Sequence, residues 1–420
     1  MNNMTVNELL NGVHCTCGRH HTCSIEKVYI EENAIRHLTD LCADVQRVLL
    51  VADENTFAAA GAQTEKALCG KEIRKQIFDG SAVLVPDERA IAAVESVLGD
   101  AQTIVAIGSG VMQDLCKYIS HVHGVPYIVV ATAPSMDGYA SDGAAMITGG
   151  MKTTFAAGLP RAILADVDVL RNAPLDMIKA GYGDVIGKYS ALNDWKLSRL
   201  VNDEYFCEYI YDLTMDKVLR TEALADGLLR REAQSVQALM EALVVIGILM
   251  SFAGSSRPAS GSEHHLSHFF EITGIVKNRP YFPHGIDVAY STVITAELRE
   301  LLLTKTFPQT AYREPRAEYE ENVRRVYGKV GDGCIALQDK MGRYTRDTAP
   351  VYREKETAIR AVLSEMPTAE EIRKRLALVE LDMAEFYDLY GQQTIDDAVM
   401  YAKDLKDRYT VLWMYYDFLK

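Results

Sequence analysis

The sequence predicts an α/β protein: a mostly parallel sheet domain over residues 1–172, followed by a mostly helical domain over residues 173–420. Three observations predict it. Short apolar runs at Val45–Ala52, Thr103–Ile107 and Pro126–Ala131 each end in turn residues and lead into helical patterning, the mark of buried parallel strands. The strand pattern stops near Asn172-Ala-Pro174, and the rest of the chain has helical period, with caps such as Thr368-Ala-Glu-Glu371. At 420 residues, the chain exceeds one comfortable core.

Val45–Ala52 ends at Asp53, so an acid stands at the C-terminal end of a buried strand, and a helix comes next, from Phe57 to about Leu68. Thr103–Ile107 runs into Gly108-Ser-Gly110-Val-Met-Gln-Asp114 and a helix to His123, with Gly124 as its stop. Pro126–Ala131 leads into Thr132-Ala-Pro-Ser-Met-Asp137-Gly138. From Ala144 to Phe155 the pattern is a β-hairpin turning at Gly149-Gly150, and Arg161–Asp166 is a last strand. The longest apolar run, Ala242–Gly254, is too short to span a bilayer and reads as a buried helix. The charged and aromatic mix after residue 305 reads as solvated helices without chemistry.

Composition narrows the function. Hydrophobic content of 48% with 24% charged residues describes a folded globular protein, and the net charge of -14 argues against nucleic-acid binding. It leaves room for a small anionic substrate, which a few local donors can hold. Met1-Asn-Asn-Met-Thr-Val-Asn-Glu8 carries no secretion signal, and most of the eight cysteines are scattered like reduced thiols, so a cytoplasmic location is expected. Cys15-Thr-Cys17-Gly-Arg-His20-His21-Thr-Cys23 is the exception; its spacings match no standard zinc pattern, and a surface hairpin before a strand at Lys27–Glu31 is expected.

Two stretches carry candidate chemistry. Gly108-Ser-Gly110 sits where a strand meets a helix, a place for backbone N–H groups to cradle a pyrophosphate. In the usual dinucleotide fingerprint the ribose-binding acid comes after the glycines, whereas Asp53 precedes them. Either Asp53 is an ordinary cap or the nucleotide fold is a different one. The second stretch is Ser260-Gly-Ser-Glu-His264-His265-Leu-Ser-His268, then Phe282-Pro-His284-Gly285, which together hold four of the ten histidines. His264 and His268 share a helix face, and His265 is rotated away by about 100°. A polar patch on a buried helix is the bland account; a divalent cation is the sharper one. Asp184 in Gly181-Tyr-Gly-Asp184, expected at the start of the helical domain's first long helix, could add a carboxylate to His264 and His284 and leave positions open.

These residues jointly carry a resemblance. From Asp53 to Gly285 the chain resembles the bacterial glycerol-1-phosphate dehydrogenases of the AraM type, within the dehydroquinate synthase and iron-containing alcohol dehydrogenase superfamily. The resemblance implies a Rossmann-like nucleotide-binding domain, a helical metal-binding domain and an active site in the cleft between them. It implies NAD or NADP contacts at Asp53, at Gly110, Val111, Met112, Gln113 and Asp114, at Thr132, Ala133, Pro134 and Ser135, and at Ser141. It implies one divalent metal (zinc, nickel or iron) on Asp184, His264 and His284, with Asp137 and His268 on the substrate. The implied reaction is reversible hydride transfer between NAD(P)H and dihydroxyacetone phosphate, giving sn-glycerol 1-phosphate. A homo-oligomer, specifically a dimer, serving phospholipid metabolism is also implied. Lys188, Lys152 and Arg257 are candidate donors to the substrate phosphate. His265 departs from the pattern by placing a second histidine beside the ligand. The alternatives are another polyol or glycerol dehydrogenase of the superfamily, or a dehydroquinate-synthase-like lyase.

Overall fold

In chain order the strands are β1 (Val13–His14), β2 (His20–His21), β3 (Lys27–Glu31), β4 (Arg47–Asp53), β5 (Glu72–Phe78), β6 (Thr103–Gly108), β7 (Tyr127–Ala131), β8 (Gly143–Thr148), β9 (Met151–Ala156) and β10 (Ala162–Asp166). The computed structural model describes residues 5–148 and 151–419 and, of residues 151–153, the backbone. The first four residues, the expected turn glycines 149 and 150, and Lys420 lie outside the described residues, as does the Lys152 side chain.

The chain forms two compact units, Met1–Val185 with Asp216–Ser255, and Ile186–Met215 with Ser256–Lys420. In the first, six strands pair in the order β3-β10-β7-β6-β4-β5, every pair parallel. β6, β7 and β10 are buried at every position, which is why they read as unbroken apolar runs. On one face Val48, Leu50, Ala52, Val105, Ile107, Ile128, Val130, Ala162 and Leu164 build a single core with Ile35 and Leu38. Counted from β4, the order is the flavodoxin-like 2-1-3-4-5 with β3 added at the far edge, so the winding reverses between β4 and β6. The edge strand β5, Glu-Ile-Arg-Lys-Gln-Ile-Phe, pairs with β4 along its whole length but gives no apolar run, since an edge is half solvated. The expected hairpins form: β8 pairs antiparallel with β9, and β1 with β2.

Two expectations need correction. The helix holding Asp184 spans Leu175–Ile186, so Asp184 lies in its last turn and not at a helix start. Its beginning is set by Pro174, and at its far end Gly187 separates it from the next helix, Lys188–Asn202. The region after residue 305 is more than solvated helices: Phe307, Tyr352, Trp413 and Tyr416 are buried in a second core with Leu197, Val201 and Leu302. Its aromatics face inward, and one ion pair, Lys403 with Asp404, is buried with them.

The units also divide the chain differently from one cut after residue 172. Helix Ala233–Ala253 returns to the sheet unit, where Gln237 Nε2 donates to the Ile30 carbonyl at 2.8 Å. This helix is long and apolar enough to cross a membrane, at a mean hydropathy of 2.0, yet 83% of that stretch is buried inside the protein. The second unit is built of helices, among them Ser262–Lys277, His284–Thr304, Met383–Tyr401 and Val411–Asp417.

Candidate active site

In the sheet unit, Asp53 and Gly108 end the adjacent strands β4 and β6, where the winding reverses. Open α/β sheets bind ligands outside the strands' carboxyl ends at that point. The topology also accounts for the acid preceding the glycines, because the two ends are neighbours across the reversal. Asp53 caps helix Glu54–Ala67: its Oδ1 accepts from the Thr56 N–H at 2.8 Å, and its own N–H donates to Thr56 Oγ1 at 3.0 Å.

Helix Gly110–His123 starts without a side-chain cap at Ser109, so its first N–H groups are left for an anion. Val111 is half-buried and Met112 buried under the turn, where a Cβ on Gly108 would stand 2.5 Å from Met112 Cγ. Gln113 is buried, and neither side-chain amide atom has a partner among the described residues. An uncapped helix start beside an orphaned buried amide fits a phosphate-bearing cofactor.

The loop after β7 closes over this turn. Thr132 N–H donates to the Gly108 carbonyl at 3.3 Å, and Ala133 O accepts from Tyr139 Oη at 2.5 Å. Pro134 presents its carbonyl to Gly181 so closely that a Cβ there would sit 1.8 Å away; only glycine fits. Ser135 is buried beside it. Asp137, also buried, donates its N–H to Asp184 Oδ2 at 2.9 Å, which fixes that carboxylate.

Lys117 is a residue that pattern reading passed over. It is fully buried, and its Nζ donates to Gly138 O at 3.1 Å, Ser141 Oγ at 3.2 Å and Gly143 O at 2.9 Å, with Asp114 Oδ1 at 3.5 Å. It therefore ties Asp114 and Ser141 together. Burial pushes its pKa down, against the pull of Asp114. A lone lysine within Leu115–Ile119 was the available signal.

In the helical unit, His264 and His284 come together, with ring centroids 5.1 Å apart. His268 stands beside both, 6.1 Å from His264 and 5.5 Å from His284. Glu263 Oε1 accepts from His264 Nδ1 at 2.7 Å and from the Gly261 N–H at 2.8 Å. Burial would raise the Glu263 carboxyl, but those hydrogen bonds and the imidazole hold it below the usual range. Because a carboxylate can only accept, His264 carries its proton on Nδ1, and Nε2 is the nitrogen with the lone pair. Ser267 Oγ lies 3.3 Å from His284 Nδ1 and donates to the His284 carbonyl at 3.3 Å. Two imidazoles with ring nitrogens within 4.8 Å of one another fit a cation. Glu263 was legible beside His264 in Ser-Glu-His, but its orienting role needed the fold.

His265 turns away. It is fully buried, neither ring nitrogen has a partner among the described residues, and burial pushes its pKa well below the usual histidine value, with Lys406, Arg408 and Arg257 adding to it. Gly261 opens the histidine helix against Asp194 Oδ2, Ala191 Cα and Glu263 Oε2, where a Cβ would come within 2.7–2.9 Å of all three. Arg257 is committed inside the unit, to both Glu204 oxygens at 2.6 and 2.5 Å. Lys188 is buried with Nζ on the Ala259 carbonyl at 3.0 Å.

An all-parallel sheet with its reversal point, succeeded by helices that bear paired histidines, makes a two-part α/β architecture that known proteins share. The family described as iron-containing alcohol dehydrogenase matches residues 29–174. Among solved structures, the iron-containing alcohol dehydrogenase of Thermococcus thioreducens aligns with a TM-score of 0.61 at 14% identity, covering 94% of this chain and 99% of that one. Sulfoacetaldehyde reductase from Bifidobacterium kashiwanohense, solved with NAD+, gives 0.61 at 13% identity over 94% and 97% of the two chains. At such identities the likeness is one of fold. Closer in sequence is a glycerol-1-phosphate dehydrogenase [NAD(P)+] of Halalkalibacterium halodurans, 30% identical over 84% of this chain and 96% of the relative. Another, of Geobacillus stearothermophilus, is 30% identical over 98% of each chain. The chain belongs to the glycerol-1-phosphate dehydrogenase family.

Proposed function

We propose that this chain catalyses NAD(P)-dependent interconversion of dihydroxyacetone phosphate and sn-glycerol 1-phosphate. One observation carries the reading: in a chain of this family, His264 and His284 bring ring nitrogens within 4.8 Å of one another, with Glu263 beside Nδ1 of the first and Ser267 beside Nδ1 of the second. Asp184, His264 and His284 would hold a divalent cation; the mixed oxygen and nitrogen donors suit zinc, nickel or iron. When bound, the ion supplies Lewis acidity toward a carbonyl oxygen.

The remaining work belongs to the chain's own groups. The uncapped start of helix Gly110–His123 takes the cofactor pyrophosphate, with Gly110 to Asp114 lining it. Asp53 takes the adenosine ribose hydroxyls, which favours NAD over a 2′-phosphorylated cofactor. Thr132 to Ser135 and Ser141 border the nicotinamide, held by Lys117 and Gly181. As hydride reaches C2 of dihydroxyacetone phosphate, the oxygen at C2 needs a proton, and His268 is the group that relays it. Asp137 accepts from a substrate hydroxyl and orients it. A homo-oligomer working in the cytoplasm on a phospholipid precursor accords with this chemistry.

The experiment is NADH oxidation with dihydroxyacetone phosphate, then chiral identification of the product. The expected product is sn-glycerol 1-phosphate, with activity lost on chelation and restored by divalent metal. Full turnover in a rigorously metal-free sample, or the opposite enantiomer, would overturn the reading.

A further inference from the structure

The N-terminal hairpin gathers a second set of metal-type donors. β1 and β2 are two residues each, Val13 opposite His21 and His14 opposite His20. Strands this short bury little, and a lone two-stranded hairpin is marginal in water. The turn between them is shaped around sulfur. The Cys15 N–H donates to the Arg19 carbonyl at 3.0 Å and the Gly18 N–H to the Cys15 carbonyl at 3.0 Å. Gly18 takes φ +85°, and the Cys17 N–H points at Cys15 Sγ at 3.5 Å. The two sulfurs and a ring nitrogen of His21 lie within 4.8 Å of one another.

His21 decides what the cluster can do. It is 1% exposed and stacks on Phe252, with ring centroids 5.4 Å apart. Its Nδ1 donates to the Phe252 carbonyl at 2.9 Å, because a carbonyl can only accept. Nε2 therefore carries the lone pair, and it faces Cys17 Sγ at 3.4 Å. A histidine with one nitrogen tied to a carbonyl and the other aimed at thiols is oriented as a metal ligand is.

We propose that Cys15, Cys17 and His21 bind a structural zinc ion, separate from the histidine cluster. Two thiolates and an imidazole match zinc's preference for sulfur and nitrogen, and small side-chain rotations close the three donors onto one ion. Each thiol gives up its proton on binding, and His21 stays neutral. A further thiolate or a water fills the fourth corner. The ion supplies what the short ladder lacks and fastens the hairpin to the last turn of helix Ala233–Ala253, where Phe252 lies.

The test is elemental analysis of the full-length chain purified without chelator, alone and as His264→Ala. Zinc should persist in His264→Ala, and Cys15→Ser with Cys17→Ser should remove about one further equivalent per chain. Cobalt-loaded wild-type protein should show sulfur-to-metal charge-transfer absorption that the double serine variant lacks. If that variant does not fold, X-ray absorption at the zinc edge of the unaltered protein decides: two or three sulfur neighbours support the site. Equal zinc in variant and parent, or only nitrogen and oxygen neighbours, overturns it. Because the serine changes are read by metal content, a failure of the proposed dehydrogenase activity would leave this result standing.

Discussion

His264 and His268 sit one turn apart on one helix, and Glu263 accepts from His264 Nδ1. The proposed function gives the two histidines different duties. His264→Ala should be metal-poor and inactive. His268→Ala should keep near-stoichiometric metal and bind NADH, while kcat falls by ~10²–10⁴-fold, the usual span of a lost general acid. His265 is the control: with its ring buried and turned away, His265→Ala should retain metal if it stays folded. Metal analysis beside steady-state kinetics reads all three, and loss of metal from His265→Ala alone would place the ligand one residue later. Asp53 has two candidate jobs, helix cap and ribose contact. Glycine is a tolerated cap, only a few tenths of a kcal/mol poorer. Asp53→Gly should therefore barely change Tm but shift the NADH/NADPH ratio of kcat/KM toward NADPH. An unchanged ratio would leave Asp53 a cap alone.

At the scale of elements, helix Leu175–Ile186 meets the loop after β7 through Gly181, with no room for a methyl group beside the Pro134 carbonyl. Gly181→Ala should push the Thr132–Ser135 loop aside and weaken NADH binding several-fold. A binding constant equal to wild type would mean the loop shifts without consequence. Legibility in the sequence tracks burial. Strands β6, β7 and β10 announced themselves because both faces are covered, and β5 did not because an edge strand carries charge outward. The histidine pair and the glycine turn were visible as local spacing. Lys117 is not assignable from sequence, since its partners come from chain folded back upon it, such as Gly143; Glu263 is visible beside His264, but only the fold aims its carboxylate at that ring. The end of Asp184's helix was misjudged because glycines on both sides resemble a start, whereas Pro174 had already begun it.

At the scale of the molecule, the sheet unit is built from two separated pieces of chain. The second piece closes the first in several places. Arg231 Nη1 donates to the Arg171 and Ala173 carbonyls at 2.7 and 2.6 Å, and Gly247 lies so near Ala140 and the Asp137 carbonyl that a Cβ would come within 2.9 Å of each. A fragment ending at Val185 keeps every strand but none of these contacts. It should be poorly soluble and bind an apolar dye, whereas one ending at Ser255 should give a cooperative melt. Equal behaviour of the two fragments would show that the returning helix is dispensable.

The bond from His21 to the Phe252 carbonyl joins residues 231 positions apart. During synthesis at about 5–20 residues per second, the first hairpin leaves the ribosome roughly 10–50 s before its partner helix exists. Cys15 and Cys17 spend that interval as accessible thiols on an unfinished chain. A hairpin made this long before its partner is thus secured only when that partner arrives, and metal bound in the interval would keep the two sulfurs together.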